Sequence, residues 1–438
     1  MSTPIVAIVG RPNVGKSTLF NKVLGERLSI TADQPGTTRD RIFAPVQWAD
    51  RPFLLVDTAG LDEAAHGSIA QATQQQVRQA VQDADALIFV ADVTTGITAG
   101  DDEVADLIRR SGKPILLAVN KVDSHKREPL AAEFYSLGIG DPHMISAYHS
   151  SGIADLLDAL VALLPEEPVV AEQPGLRIAI IGRPNTGKSS LVNALLGQDR
   201  MVVSEVPGTT RDSVDTLLER DGERIVLIDT AGIHRRGKIE KGVEQYSSLR
   251  SIRAIGRASI AVLVLDATEL SAAQDSHIAG FALDSHKGIV LAVNKWDLAP
   301  ALELPVEQAE EVVRARFRFI AYAPIVFISA LKRQGLDELM QVVAEVHRQR
   351  QLRIGAGPLN RAVEQALGET LPPLIGSKRL HVYFATQQAV DPPTFLFYVN
   401  DPTLVHFSYH RYLENRLRQA FGFTGTPLKL IFRRQGEA

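Results

Sequence analysis

One eight-residue phrase occurs twice in this chain, as Gly10-Arg11-Pro12-Asn13-Val14-Gly15-Lys16-Ser17 and as Gly182-Arg183-Pro184-Asn185-Thr186-Gly187-Lys188-Ser189. Each copy follows a short apolar run, Ile5 to Val9 and Ile178 to Ile181, and precedes a helical pattern, Ser17 to Leu24 and Ser189 to Leu196. A strand, a glycine-rich turn and a helix form the context in which G-x-x-x-x-G-K-S acts as a phosphate loop. The glycines let the backbone curl until its N–H groups face inward, and the helix presents its positive N-terminal end to the same anion. Lys16 and Lys188 are placed to reach β- and γ-phosphates, and Ser17 and Ser189 to offer a hydroxyl to magnesium.

The repetition continues past the phosphate loop. Pro35-Gly36-Thr37-Thr38-Arg39-Asp40 recurs as Pro207-Gly208-Thr209-Thr210-Arg211-Asp212, and Asp57-Thr58-Ala59-Gly60-Leu61 as Asp229-Thr230-Ala231-Gly232-Ile233. Asn120-Lys121-Val122-Asp123 recurs as Asn294-Lys295-Trp296-Asp297, and Ser146-Ala147 as Ser329-Ala330. The offset is 172 residues for the first three motifs, 174 for the fourth and 183 for the last, which describes a duplicated domain rather than a solenoid unit. In the first copy, strands read at Phe53–Val56, Ala86–Ala91, Pro114–Val119 and His143–Ile145. Helices read at Ile69–Gln82, Glu103–Arg110, Glu128–Leu137 and Ile153–Leu163. That alternation predicts an α/β fold with a mostly parallel sheet covered on both faces. Arg41–Gln47 beside Phe53–Val56 adds an antiparallel pair. The organisation expected is a first nucleotide domain over 1–164, a linker over 165–175, a second domain over 176–350 and a small α+β domain over 351–438. The last reads helix (Leu359–Leu367), strand (Arg379–Phe384), strand (Phe395–Asn400), helix (Tyr409–Phe421), strand (Leu428–Phe432).

Bulk properties narrow the function classes. A net charge of −4 with 22% charged residues excludes a polybasic nucleic-acid coat and an acidic tail. The absence of cysteine removes disulfides, thiolate metal sites and cysteine nucleophiles, and fits a reducing compartment. The N-terminal residues lack a signal-peptide pattern, and no apolar run approaches a membrane span. The chain reads as a cytoplasmic protein with no membrane contact.

Asn-Lys-x-Asp closes a buried strand in each copy, where open α/β sheets bind ligands. An aspartate there accepts two parallel hydrogen bonds from N1–H and the 2-amino group of guanine, neither of which adenine offers. Facing adenine, Asp123 or Asp297 would be left unpaired at a cost of about 1–3 kcal/mol. Asn120 and Asn294 either bond the base or tie this loop to the phosphate loop, and Lys121 and Lys295 lay their stems over the ring. Asp57 and Asp229 hold magnesium through water. Gly60 and Gly232 offer a backbone N–H to the γ-phosphate. Thr38 and Thr210 order around magnesium, with Thr37 and Thr209 as neighbouring alternatives. Lys16, Thr38 and Gly60, and Lys188, Thr210 and Gly232, form the expected catalytic sets.

With these motifs in place, the chain resembles GTPases of the Era and TrmE kind and, more closely, the Der/EngA family of bacterial GTPases with two G domains in tandem. The resemblance covers essentially the whole chain. It extends to the segment Asp229-Thr-Ala-Gly-Ile-His-Arg-Arg-Gly-Lys238 followed by Val243-Glu-Gln-Tyr246. It implies two P-loop GTPase domains, a KH-like C-terminal domain, GTP hydrolysis to GDP, and a monomer. The implied partner is the large ribosomal subunit or its precursor, rRNA and ribosomal proteins included, during maturation. The alternative is a GTPase coupled to tRNA modification or signalling; a TrmE-like enzyme would carry a C-terminal cysteine motif, and this chain has no cysteine.

The residue after the DxxG glycine is Leu61 in one copy and Ile233 in the other, where Ras-like enzymes carry a water-orienting glutamine. The resemblance supplies a substitute: Asn13 and Asn185 help bind a potassium ion that places positive charge against the phosphoryl oxygens. A loop-shaping role for these asparagines is the other reading. Arg39 and Arg211 are internal-finger alternatives or partner contacts. From His234 to Arg257 the second copy carries seven Lys or Arg against two Glu, whereas Asp62 to Asp83 of the first carries one Arg against three acids. A basic stretch in one copy only reads as a phosphate-backbone contact switched by nucleotide. The last domain holds nine Lys or Arg against six acids from Pro358 onward, and its role is open between RNA, protein and docking on a G domain. Its Gly422-Phe-Thr-Gly425 is a helix cap and turn rather than a KH clamp. GTP turnover is expected to be faster in potassium than in sodium. Asn13→Ala or Asn185→Ala should cut turnover at its own site by roughly a hundredfold, the scale of one fixed charge or donor at the reacting phosphate. Steady-state phosphate release in the two salts, with nucleotide affinity measured alongside, checks this; equal rates sink the potassium role.

Overall fold

Buried apolar strands ending in polar motif residues dictate the architecture. The computed structural model describes residues 4–25, 43–49, 51–58, 81, 84–164, 175–197, 202–207, 214–220, 223–228, 247–270 and 272–436. The chain divides into two compact units, Met1–Val170 and Ala171–Ala438.

In the first unit, β1 (Ile5–Val9) leads through the glycine-rich turn into α1 (Lys16–Gly25). Then follow β2 (Phe43–Trp48), β3 (Arg51–Asp57), β4 (Ala86–Asp92), α2 (Ala99–Ser111), β5 (Ile115–Asn120), a 3₁₀ helix (Glu128–Leu137), β6 (Pro142–Met144) and α3 (Ile153–Leu163). The sheet order is β2-β3-β1-β4-β5-β6. Only the β2–β3 pair is antiparallel, as the sequence suggested for this edge. Every residue of β1 and β4 is buried, which is why these strands read as unbroken apolar runs rather than alternating ones. Val6 and Ile8 pack with Leu19 and Phe20 of α1 and Leu156 and Leu160 of α3. The Glu128–Leu137 helix is present but 3₁₀ rather than α, with proline in its first turn. The expected helix at Ile69–Gln82 falls, but for Val81, outside the described residues, as do residues 165–174 of the expected linker.

The second unit repeats the plan with β7 (Leu176–Ile181), α4 (Lys188–Leu196), β8 (Val202–Pro207), β9 (Val214–Arg220), β10 (Glu223–Ile228), α5 (Ser247–Arg257) and β11 (Ile260–Asp266). It continues with α6 (Ala273–Asp284), β12 (Gly288–Asn294), α7 (Val306–Arg316), β13 (Ile325–Phe327) and α8 (Leu336–Arg350). The order is β13-β12-β11-β7-β10-β9-β8, with β8–β9 and β9–β10 antiparallel. The edge strand β8 was not anticipated from the sequence. Its residues, Val202-Val-Ser-Glu-Val206, neither alternate with period two nor form an unbroken apolar run, and they adjoin a Pro-Gly turn, so they do not stand out.

After α8 come α9 (Ala356–Glu369), a small ribbon of β14 (Leu374–Ile375) and β15 (Lys378–Arg379), then β16 (Val382–Val390), β17 (Pro393–Val399), α10 (Phe407–Phe421) and β18 (Lys429–Arg434). The strand expected at Arg379–Phe384 is therefore split: Gly376 at φ +63° turns the ribbon, and β16 starts afresh at Val382. The antiparallel β16–β17 and parallel β17–β18 pairs form a three-stranded sheet against α9 and α10.

This domain docks on the second sheet, one of the roles the sequence left open for it. The Ile289 N–H at the start of β12 donates to the Gly425 carbonyl at 2.7 Å, and the Gly425 N–H donates to the Tyr322 carbonyl at 3.0 Å. Gln349 Oε1 accepts from the Phe423 N–H at 2.8 Å, so the Gly422–Gly425 stretch caps α10 and serves the junction. The Arg418 guanidinium lies 3.7 Å from the centre of the Tyr322 ring. At the centre Arg350, 1% exposed, donates to the His286 carbonyl at 2.9 Å and Thr426 Oγ1 at 3.0 Å, and pairs with Asp391. Burial, with Lys429 nearby, brings the His286 imidazole down to about 4, so it adds no charge to the junction at neutral pH. Arg350→Met is expected to destabilise the second unit by about 2–4 kcal/mol, because it strands the acceptors that Arg350 now pairs. Arg350→Lys should not rescue it, since an ammonium cannot reproduce the planar fork. Denaturant unfolding of the full chain measures both; a shift below the scatter of repeated unfolding curves would deny the junction its weight.

Candidate functional site

In each unit the ends of three parallel strands converge on the glycine-rich turn. β1 delivers Gly10, β3 delivers Asp57 and β5 delivers Asn120; β7 and β12 deliver Gly182 and Asn294 in the second unit. The turn is wound tightly enough to need αL backbone at Asn13 (φ +65°) and Asn185 (φ +64°), a conformation asparagine tolerates better than most residues. The asparagines thus have a loop-shaping use.

The turn is fastened to the base motif. Asn120 Nδ2 donates to the Val14 carbonyl at 2.8 Å while its Oδ1 accepts from the Ala147 N–H at 2.9 Å. Asn294 does the same with the Thr186 carbonyl at 2.8 Å and the Ala330 N–H at 3.0 Å. Both asparagines are 2% exposed, so both amide ends are satisfied inside the protein. One of the two roles open from the sequence, the tie between loops, is thus present in the structure. Gly15 and Gly187 lie against these amides: a Cβ at either would stand 2.3 or 2.2 Å from the asparagine Nδ2.

Asp123 Oδ1 accepts from Ser146 Oγ at 2.7 Å, and Asp297 Oδ1 from Ser329 Oγ at 2.6 Å. The base-motif aspartate and the Ser-Ala loop are therefore one hydrogen-bonded unit in each copy. Trp296 stacks at a tilt on Phe327 with centroids 4.3 Å apart, and Val122 is half-buried. Lys121 Nζ pairs with Asp92 at 2.6 Å and donates to the Asn13 carbonyl at 3.1 Å, and Lys295 pairs with Asp266 at 2.5 Å. Burial would raise the Asp92 and Asp266 carboxyls, but the lysines and the Thr94 and Thr268 donors outweigh it and hold both below the usual carboxylate range.

Arg11 turns away from the mouth of the loop to pair with Asp101 at 3.1 Å, and Arg183 with Asp275 at 2.8 Å. Both aspartates are buried in the first turn of the following helix. Sequence reasoning missed four carboxylates here, Asp92, Asp266, Asp101 and Asp275. The signal was present, because each pair recurs at the 174-residue offset of the base motif.

Lys16 and Lys188 each fold back over the turn, donating to the Gly10 and Gly182 carbonyls at 2.9 and 2.8 Å. Val14 and Thr186 are buried beneath it, while Pro12 and Asn13 are exposed and Pro184 is half-buried. Thr58 is buried and donates its hydroxyl to the Ile8 carbonyl at 2.8 Å, joining β3 to β1. Asp57 is 4% exposed at the end of β3, and Ser17 and Ser189 lie in the first helical turn. In the first site the Asp57 carboxylate and the Ser17 hydroxyl are oxygen donors of the kind that suit magnesium. Thr38, Ala59, Gly60, Leu61, Thr210, Asp229, Thr230, Ala231, Gly232 and Ile233 lie outside the described residues, with Thr37, Arg39, Thr209 and Arg211. Arg257, counted in the basic segment, is committed to an ion pair with Asp215, and Arg235, Arg236, Lys238 and Lys241 lie outside the described residues.

A family model described as 50S ribosome-binding GTPase matches residues 5–121 and again 177–295. One described as the KH-domain-like of EngA bacterial GTPase enzymes, C-terminal, matches residues 353–433. GTPase Der of Moorella thermoacetica is 48% identical over 437 residues, covering 100% of both chains. GTPase Der of Thermomicrobium roseum is 51% identical over 443 residues, covering 99% of this chain and 96% of that one. Gly15→Ala or Gly187→Ala should displace the fastening asparagine and reduce nucleotide binding from two equivalents to one, since the Cβ meets the amide and φ there is +100° and +93°. Calorimetric titration with GDP reads the stoichiometry; two intact equivalents would show the fastening to be dispensable.

Proposed function

The chain belongs to the Der/EngA family of GTPases with two G domains, and from that premise we propose that it is a GTP-driven switch in maturation of the large ribosomal subunit. The observation that supports this reading most is the repeated fastening of Asn120 to the Val14 carbonyl and of Asn294 to the Thr186 carbonyl. It holds the glycine-rich turn and the Asn-Lys-x-Asp segment at one separation in each of two domains, which supports a reading in which each copy takes a whole guanine nucleotide.

In this reading the loop N–H groups and the Lys16 and Lys188 ammonium groups surround the phosphates, and Asp123 and Asp297 read the guanine edge. Ser17 and Asp57, or Ser189 and Asp229, would hold magnesium, which would supply positive charge to the phosphate oxygens. Thr38 and Thr210 would order around the magnesium of a bound triphosphate, and the Gly60 and Gly232 N–H groups would donate to its terminal phosphoryl group. Leu61 and Ile233 cannot orient water; Asn13 and Asn185 would instead hold a potassium ion, which would supply fixed positive charge at the phosphoryl oxygens. Two sites of one skeleton with different surfaces suit a protein that reports its nucleotide state to a large RNA-bearing partner.

The second domain carries the partner contact in this proposal, through the basic segment that begins at His234. Replacing Arg235, Arg236 and Lys238 with alanine should weaken binding to large-subunit particles, while nucleotide affinity stays near the parental value. The log–log salt slope should flatten by about one for each phosphate that is no longer neutralised. Cosedimentation with GDP, GTP or a non-hydrolysable analogue, over a salt series, makes the comparison. A triple variant that binds as the parent does, with the same salt dependence, refutes the contact.

A further inference from the structure

The two base sites share Ser-to-Asp geometry and differ at one residue that touches the aspartate itself. In the first copy Arg127 NH1 donates to Asp123 Oδ2 at 2.8 Å and to the Lys121 carbonyl at 2.9 Å. Arg127 is held there by its place at the start of the Glu128–Leu137 3₁₀ helix, its own N–H donating to the Ser124 carbonyl at 2.9 Å. At the base-motif offset of 174 residues, the second copy has Ala301. Asp297 keeps the serine bond on Oδ1 and makes no ion pair among the described residues.

An ionised carboxylate has about four lone-pair positions, two on each oxygen. In the first site Ser146 takes one on Oδ1 and Arg127 one on Oδ2, leaving one on each for the two donors of guanine. A base without the 2-amino group fills only one of them. What happens to the other oxygen then differs between the copies. With Arg127 in place, Oδ2 keeps a charged donor whatever base is bound. In the second site the equivalent oxygen would be covered by the base yet bonded to nothing in it, and discrimination in such sites comes from the polar group left unpaired.

Building on the guanine-binding reading above, we propose that Arg127 makes the first site tolerant of 6-oxopurine nucleotides lacking a 2-amino group, such as inosine nucleotides. The second site, with Ala301, keeps the sharper selectivity for guanine. Arg127 acts through Asp123 and so is a positioning and specificity residue. Asp123 and Arg127 are 36% and 39% exposed, which places the expected effect toward the low end for an unpaired group.

The test compares GDP with IDP by calorimetry at one site at a time in the full chain. Asp297→Asn disables guanine reading at the second site, so titration then follows the first. Adding Arg127→Ala should raise the GDP-over-IDP preference there by about fivefold, with most of the change in IDP affinity. Conversely, in an Asp123→Asn background, Ala301→Arg should lower the preference of the second site. A preference unmoved by Arg127→Ala, or GDP and IDP affinities falling together, overturns the proposal and leaves Arg127 as a brace for the loop. The Ala301→Arg arm decides independently should Arg127→Ala disturb the fold, and an unchanged second-site preference there also counts against it. Failure of the Asp297→Asn parent to bind GDP at all would instead remove the guanine-binding reading of the first site.

Discussion

The bond from a buried asparagine amide to a phosphate-loop carbonyl is the constraint on which the rest of each nucleotide site depends. Asn120 and Asn294 sit at strand ends, backed by the buried sheet core, and each donates an amide N–H to the glycine-rich turn and accepts from the Ser-Ala loop. Three segments distant in sequence are thereby held at one spacing. The requirement for glycine at 15 and 187 follows from it, since the amide stands where a Cβ would go. So does the position of the aspartate three residues on, whose partner serine belongs to the loop that the same asparagine holds.

Around that skeleton the copies diverge in polar detail. Arg11 adds Thr95 to its aspartate partner, whereas Arg183 adds Glu269, so the second loop is backed by one more carboxylate. Arg127 touches the first base-reading aspartate and has no counterpart in the second. Burial raises the Asp275 carboxyl, and Arg183 offsets this only in part. Such differences leave the core untouched, because they occupy the rim where the sheet ends meet loops.

The strands and the motif residues at their ends were legible in the sequence because unbroken apolar runs such as Ile5–Val9 and Ile260–Leu265 have few alternatives to a buried parallel strand. The tie made by Asn120 was legible only as one of two possibilities, since a side chain that can bond base or backbone declares neither. Asp92 and Asp101 escaped notice because a lone carboxylate at a helix start or strand end looks like a solvated cap. Register against Asp266 and Asp275 is what distinguishes them. The docking of the C-terminal domain was beyond reach of pattern reading: Arg350, Asp391 and Thr426 are single polar residues separated by tens of positions, and only the fold brings them together. The Der/EngA resemblance rested on residues across the whole chain, and the family matches span both G domains and the C-terminal module.

The strand β12 carries at one end the bond to Gly425 and at the other Asn294. Its length, about 20 Å at the usual rise per residue, separates the docking junction from the base loop by one rigid rod. The C-terminal domain is therefore no detachable cassette: its loop accepts hydrogen bonds from β12 and from Arg350. A foreign module joined after Arg350 would have to set a backbone carbonyl before the Ile289 N–H and a side-chain acceptor before Arg350.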